Sequence, residues 1–408
     1  MLWGLLVLPY TVVYFHRLSL GVLRHDLMAE FALSATAFAN IGAAYFYTYT
    51  VLQVPAGILS DSLGPRRTVS AAALITALGT TLFALAGSVG MLFLGRLVIG
   101  IGVSTIFIAI LKLLAVWFDE GEFATLTGLT AGVGTLGGIL AQSPLYAAAA
   151  RWGWRTSFLA VAVFGAVSAV LCFALVRDKP PAGSVPPVHP ETHLFRELGA
   201  AVRNRRTWPP FLVFGGAYGA FIALSGTWGQ SYLVIGLGIP GTVASGMLTW
   251  SVIGMAVGGL AFAMISDRLR LRRMPMILCA SLLLVCWVLL VSGWVSSGPG
   301  LRALLIVLGL SSGVVLTTLP CGKEVNHPAF SGSSTAVVNV GGFLGSALVP
   351  LIMGGILDLA APMMGDAQAY RLVLFVGVAS VSVAVVGAFL ITETRCRNVY
   401  FELNPAKR

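Results

Sequence analysis

The sequence predicts an all-α membrane protein whose twelve transmembrane helices form two parallel six-helix repeats. Three observations carry this expectation. The 408-residue chain is 57% hydrophobic and only 10% charged, with a mean hydropathy of +0.92, whereas a soluble domain carries roughly 25% charged residues. Apolar runs of about 20 residues recur throughout, each able to cross a hydrocarbon core about 30 Å thick. One polar turn also occurs twice, half a chain apart. Its first copy reads Gly57-Ile-Leu-Ser-Asp61-Ser-Leu-Gly64-Pro-Arg66-Arg67-Thr68, and a looser one reads Ala263-Met-Ile-Ser-Asp267-Arg268-Leu-Arg270-Leu-Arg272-Arg273.

Twelve spans are expected near 2–23, 36–60, 68–88, 91–114, 123–147, 154–176, 208–234, 242–265, 274–295, 300–322, 331–357 and 370–392. The first is read as an uncleaved helix. No basic residues precede it, and Tyr14, His16 and Arg17 stand where a signal peptide would end in small residues. With both termini inside, 17 of the 25 Lys and Arg fall on the cytoplasmic side and six on the outer side. That is the positive-inside bias, so the net charge of +10 reports topology and not a nucleic-acid partner. The five Cys follow neither metal-site nor disulfide spacing and are read as free thiols.

Residues 177–207 contain Pro180, Pro181, Pro186, Pro187 and Pro190 among scattered charges, the composition of a flexible cytoplasmic linker. It divides an N-terminal six-helix bundle (1–176) from a C-terminal one with a short tail (208–408). The halves echo each other. Asp61 and Asp267 are 206 residues apart, as are Arg96 and Arg302, and the Gly-rich fifth span (Gly134, Gly137) matches the eleventh (Gly341, Gly345) at a similar shift.

Parallel six-helix repeats, the 57–68 turn with its weaker copy, and Arg96-x-x-x-Gly100-x-Gly102 together resemble the major facilitator superfamily. Four stretches resemble its anion:cation symporter group and related bacterial nutrient permeases. They are Tyr14-Phe-His-Arg17-Leu-Ser-Leu, Tyr49-x-x-x-Gln53-Val-Pro55-Ala-Gly57, Trp117-Phe118 and Arg151-Trp-Gly-Trp-Arg155. The resemblance implies a secondary transporter for a small organic anion or zwitterion, working by alternating access in a bacterial inner membrane. Proton-coupled uptake is the expected mode. A permease or exporter of neutral or cationic solutes, and a transport-inactive sensor with the same fold, are the alternatives.

In the repeated turn, a carboxylate at a helix end can accept hydrogen bonds from backbone N–H groups at a neighbouring helix start. Gly57 and Gly64 allow close approach and a tight turn. Asp61, Arg66 and Arg67, with Asp267 and Arg268 in the second copy, are therefore expected to form a cytoplasmic gate. The bland reading is that the arginines only anchor orientation. The second copy lacks the first and the turn glycines, which predicts an asymmetric latch.

An ionisable residue inside a span costs roughly 2.5–3.5 kcal/mol on insertion scales and is a functional candidate. Arg17 heads the list: a permanent, planar cation suited to carboxylate or phosphate, with Tyr14 and Tyr10 on its helical stripe. In the resembled transporters the matching Arg helps hold the anion with the Tyr beside it; the alternative is a structural Arg paired with a carboxylate such as Asp26. His16 stands where that group often has Asp, and is either a proton-coupling residue or a neutral hydrogen-bonded one. Lys112 either reaches the cavity or snorkels to the interface. Tyr45, Tyr49 and Gln53 share one face of the second span, Trp228 lies in the seventh and Asn339 in the eleventh, each a candidate for substrate contact or for helix–helix bonding. Arg96 either stitches helices or relays protons. Val103 stands where organic-anion symporters often have Glu, which weakens transfer of their proton pathway.

No nucleophile–base set, metal spacing or strand-linked glycine loop is present, so enzymatic and nucleotide-driven readings fail. The expected partners are a small, anionic solute, a proton or other coupling ion, and the lipid bilayer, with no cofactor, no nucleic acid and a monomeric state.

Overall fold

The computed structural model describes residues 2–178 and 194–404, apart from the side chains at 54, 57–59, 61, 62, 120, 121, 123, 124, 194 and 195. The described residues are nearly all helical, with no strand, and the chain divides into two compact units, Met1–His189 and Pro190–Arg408.

The first unit holds α1 (Leu2–Leu18), α2 (Arg24–Phe31), α3 (Ala35–Leu63), α4 (Pro65–Ala84), α5 (Val89–Trp117), α6 (Glu120–Leu140), α7 (Ser143–Trp152) and α8 (Trp154–Leu175). Helix starts follow local chemistry. The Ser34 and Ser88 hydroxyls accept from the N–H groups of Ala37 and Met91, capping α3 and α5. Gly64, at φ +80°, turns the chain directly into α4, whose first residue is Pro65.

The second unit holds α9 (Leu194–Arg203), α10 (Trp208–Ile222), α11 (Gly229–Ser231), α12 (Gly241–Leu269), α13 (Arg273–Ser292), α14 (Gly298–Ser312), α15 (Thr318–Glu324), α16 (Ser331–Met364), α17 (Asp366–Leu390) and α18 (Tyr400–Leu403). A helix stands at each of the twelve expected positions. Among the described residues nine helices are long and apolar enough to cross a membrane, or ten if the bent pair Leu2–Leu18 and Gly21–Phe31 counts as one span. Large apolar side chains point outward, such as Val163, Val170 and Phe173 on α8 and Leu278, Leu282 and Val285 on α13. Arg17, Arg96 and His16 are buried. This inverted distribution is that of an integral membrane protein.

Hydrocarbon gives helices no hydrophobic reason to associate, so small residues set the contacts. On α6, a Cβ at Gly134 would meet the Tyr10 ring at 2.6 Å, and one at Gly137 would collide with the Thr11 carbonyl, both on α1. On α16, a Cβ at Gly341 would lie 2.6 Å from the Phe211 carbonyl of α10, and one at Gly345 would collide with the Gly215 carbonyl. The two glycine-rich helices therefore dock in the same way on the first helix of their own unit.

Four expectations about continuity need correction. The first span stops at Leu18 and bends 48° into the segment ending at Phe31. The fifth breaks at Ala141–Gln142, where the Gln142 amide turns inward to donate to the Leu18 carbonyl, 3.3 Å, at the end of α1. The seventh contains two π-helical stretches, Ala223–Trp228 and Tyr232–Gly236. Finally, the expected flexible linker 177–207 is structured at its described ends. Arg177 accepts from Trp117 Nε1 at 2.8 Å, while α9 docks on α16 through Ser333 Oγ donating to Glu197, 2.9 Å. The proline cluster behind that expectation lies outside the described residues.

Gly345→Leu should overpack the α10–α16 contact by about 1–3 kcal/mol and lower the melting temperature of the detergent-purified protein. Gly332→Ala on the same helix, where a Cβ meets no atom within 4 Å, should leave melting unchanged or raise it slightly.

Candidate functional site

The first unit brings three predicted residues, Tyr14, Tyr45 and Tyr49, together around Arg17, near the end of α1. Its guanidinium lies over the Tyr14 ring, 4.7 Å from the centroid, and over the Tyr49 ring at 5.2 Å. Arg17 Nε donates to the Tyr45 hydroxyl, 3.2 Å, which in turn donates to the Val13 carbonyl, 3.2 Å. The helical spacing produces this cage: Tyr45 and Tyr49 stand one turn apart on α3, their rings stacked at 6.1 Å, and Tyr14 stands one turn before Arg17. Tyr10 extends the aromatic wall, edge-on to Tyr14 at 5.5 Å and stacked on Phe107 of α5 at 5.0 Å. A cation over aromatic faces in a water-poor setting gains about 2 kcal/mol or more. Arg17 is only 8% exposed, while Tyr14 is half-buried at the edge of the cluster.

A second buried cation stands behind the first. Arg96 of α5 lies over the other ring of the cage, 5.2 Å from the Tyr45 centroid, and donates through Nη1 to the His16 carbonyl, 3.0 Å. It stitches α5 to α1. His16 turns away from Arg17 toward α4, where its Nε2 meets the Thr80 hydroxyl at 2.9 Å; its Nδ1 has no hydrogen-bond partner among the described residues. Asp26, the alternative partner weighed for Arg17, lies at the surface 3.7 Å from His25.

Gln53 is on α3, its Oε1 buried without a hydrogen bond among the described residues. Lys112 is half-buried on α5, and Asn339 half-buried on α16 in the other unit. Trp228, also in the second unit, is 1% exposed and donates from Nε1 to the Pro350 carbonyl of α16, 2.9 Å. Its polar atom serves a helix–helix contact.

At the first polar turn, the side chains of Gly57 and Asp61 lie outside the described residues, so the expected Asp61 contacts have no geometry here. Gly64, Arg66 and Arg67 are described. The Arg66 N–H at the start of α4 donates to Asp178 Oδ1, 2.7 Å. Arg66 Nε donates to the Phe173 carbonyl, 2.9 Å, and its guanidinium lies 4.8 Å over the Phe173 ring. Arg67 is exposed. Asp178, just past α8, is a partner the sequence reading missed.

The second copy has the same plan with different residues. Glu393, just past α17, accepts from the N–H groups of Arg272 (3.0 Å) and Arg273 (3.0 Å) at the start of α13, and from Arg395 N–H (2.9 Å). The Arg272 guanidinium bonds Glu324 of α15 (2.7 Å), Asp267 (2.7 Å) and Ser266 (2.9 Å). Thr394 closes on Glu324, and the Val399 N–H donates to the Glu324 carbonyl, 2.8 Å. Asp267 is thus engaged, whereas Arg268 points to solvent. The centre of this cluster is Arg272, which the sequence reading left as one basic residue among several. Glu324 was visible as a carboxylate at the end of an apolar run.

At the opposite end of the first unit, Arg155 and Trp154 of the Arg-Trp-Gly-Trp-Arg stretch clasp Glu30 (2.6 and 3.0 Å), and Arg155 also holds the Ala86 carbonyl, 2.7 Å. Gly153, at φ +82°, separates α7 from α8 between the two tryptophans.

Two outcomes follow from the Arg272 cluster. Asp267 is 64% exposed and Glu324 10%. Asp267→Asn should therefore cost about 0–1 kcal/mol, and Glu324→Gln about 3–5 kcal/mol, because it strands a buried cation; thermal melting of the two variants measures the difference. Burial of Glu393 acts to raise its pKa, but the N–H groups of Arg272, Arg395 and Arg273 outweigh it and hold the carboxyl below its usual 4.5. Its stabilising contribution is present above that value and is lost as pH falls through the lower folded-state pKa. Melting temperature should accordingly drop below about pH 4.5, and Glu393→Gln should flatten that drop.

The pattern that defines the Major Facilitator Superfamily matches residues 6–350. The hexuronate transporter of Bacillus subtilis strain 168 is 26% identical over 261 residues, covering 62% of this chain and 62% of that protein. The probable sulfoacetate transporter SauU of Cupriavidus necator is 29% identical over 168 residues, covering 41% and 38%. The chain thus spans about two fifths to three fifths of the length of these curated relatives. A bacterial homologue of the human lysosomal transporter Spinster, crystallised in an inward-facing conformation, shares the fold with a TM-score of 0.76 at 17% identity, covering 96% of each chain. With the defining pattern running from α1 into α16 and the fold shared end to end, the chain belongs to the Major Facilitator Superfamily.

Proposed function

We propose that this protein is a secondary transporter, and not an enzyme, that carries a small organic anion by alternating access, with Arg17 as its anion contact. The observation that supports this most strongly is the Arg17 cage. A guanidinium buried in a span, with Nε bonded to Tyr45 and its faces against Tyr14 and Tyr49, holds its planar fork in one orientation rather than leaving it to rotate. Such a fork suits carboxylate or sulfonate. The relatives named for hexuronate and sulfoacetate carry solutes of that charge. Tyr14, at the edge of the cage, is the second contact, and Gln53 and Lys112 are further candidates on α3 and α5.

Uptake is coupled to protons in this reading, with His16 as the coupling residue. It is the titratable neighbour of Arg17 along α1, and the Nδ1 without a hydrogen-bond partner leaves it a site for a proton. The two polar turns serve as latches on the cytoplasmic face of an inner-membrane protein with both termini inside. There, Asp178 and Glu393 hold the starts of α4 and α13, and Asp61, Asp267 and the arginines complete the contacts.

Counterflow in proteoliposomes tests the anion reading. With hexuronate and sulfoacetate as probes, Arg17→Ala should reduce uptake at least tenfold and Arg17→Lys should retain part of it. Tyr45→Phe removes one hydrogen bond worth about 1 kcal/mol and should cost about fivefold. Uptake unchanged in Arg17→Ala would sink the assignment. An imposed pH gradient should drive uptake in the parent protein and fail to do so in His16→Asn; equal driving in both removes His16 from the coupling.

A further inference from the structure

The second unit contains a cavity that the transport reading does not use. Its volume is about 690 Å³, within the range of small-molecule sites. Four separate pieces of chain build it: the end of α9, the turn Arg205–Thr207, the segment between α15 and α16, and α18.

Its chemistry is one-sided. Arg203, Arg205 and Arg206 line it, with no carboxylate among its described lining residues. All three side chains are exposed, and none forms an ion pair among the described residues. The nearest acid on α18, Glu402, is taken by Arg397 at 3.3 Å. Opposite the arginines, the His327 ring packs on Phe330 at 5.0 Å and on Tyr400 at 5.3 Å, making a firm aromatic floor.

The walls are held in place by hydrogen bonds that consume the buried amides. Asn204 Nδ2 donates to the Val325 carbonyl (2.9 Å) and to Asn326 Oδ1 (2.8 Å), and Asn326 Nδ2 donates to Thr207 Oγ1 (2.9 Å). The Asn204 Oδ1 accepts from the Arg206 N–H, 3.1 Å, fixing the turn that carries two of the arginines. Orientation in the bilayer asks only for positive charge on one side. It does not ask for three cations around a walled hollow with an ordered floor.

We infer that this cavity binds a phosphate ester, its anion gripped by Arg203, Arg205 and Arg206 and its organic part resting on His327 and Tyr400. Guanidinium is the matching group for phosphate oxygens. Two sources of that chemistry exist, an anionic phospholipid headgroup and a soluble phosphate ester. Position favours the headgroup: Trp208, two residues past Arg206 at the start of α10 and 40% exposed, donates to the Val202 carbonyl at 3.0 Å and marks the level of the membrane interface.

The experiment has two arms on the full-length detergent-purified protein. In the first, native mass spectrometry counts retained phosphatidylglycerol against added phosphatidylcholine. In the second, calorimetry titrates adenosine diphosphate and inorganic phosphate. The variant combines Arg203→Gln, Arg205→Gln and Arg206→Gln, all at exposed positions, with an unchanged melting temperature as the folding control. Ala200→Trp, which fills the cavity without altering charge, is the second variant. Expected is at least a fivefold preference for phosphatidylglycerol, lost in both variants and shed as salt rises. Adenosine diphosphate binding lost in both variants would support the site and assign it to a soluble ester. Equal behaviour of parent and variants in both arms overturns the inference, as does loss in the arginine variant with full retention in Ala200→Trp, since that result marks a surface charge effect outside the cavity.

Discussion

A charged side chain in hydrocarbon must be supplied with partners by the protein itself, because no water is there to do it. The first unit is organised around that demand. Arg17 and Arg96 come from different helices, yet both meet Tyr45, one through its hydroxyl and the other through its ring face. Tyr45 is fully buried and its hydroxyl is passed on to the Val13 carbonyl. Three helices, α1, α3 and α5, are thereby locked at one level of the bundle. His16 lends its carbonyl to Arg96 and its ring to Thr80, which draws in α4. Arg17, the cation proposed to meet a substrate, is therefore mounted on the same contacts that hold the bundle together.

Close helix approach is the second constraint, and the two units meet it identically. Gly137 on α6 and Gly345 on α16 each sit against a backbone carbonyl of the first helix in their own unit. The cap at the start of the third helix is also shared, since Asp178 and Glu393 accept from the N–H groups that open α4 and α13. The second unit departs in one respect: its turn lacks the glycine at the position of Gly64, and Arg272 reaches Glu324, Asp267 and Ser266 together. The turn made by Gly64 at φ +80° in one repeat is made by Arg270 at φ +51° in the other, beside the ion cluster of Arg272.

Much of this was legible in the sequence because it rests on local periodicity. The spacing of Tyr45 and Tyr49 on α3, and of Tyr14 and Arg17 on α1, states which residues share a face, and the cage follows from two such faces meeting. Partners distant in sequence were not legible. Nothing in a one-dimensional pattern joins His16 to Thr80, Arg66 to Asp178 or Arg272 to Glu393, since each pair depends on which helix packs beside which. Trp228 shows the same limit, because an indole in a span serves a neighbouring carbonyl, here that of Pro350, as readily as a ligand. Composition did not show that the described end of 177–207 forms a helix: α9, Leu194–Arg203, finds its place through Glu197 and Ser333.

The two π-helical stretches, Ala223–Trp228 and Tyr232–Gly236, have a consequence for this helix as a mechanical part. A π turn accommodates one more residue than the α turn it replaces. Each stretch is therefore a stored insertion, and tightening it to α geometry would turn everything beyond it by about 100° and lengthen the rod by about 1.5 Å. Trp228 closes the first stretch and is pinned to Pro350, and Tyr232 opens the second and donates to the Leu290 carbonyl, 3.3 Å. These two aromatic residues act as detents on a screw thread: they fix the azimuth of the segment now, and releasing either would let it advance by one residue.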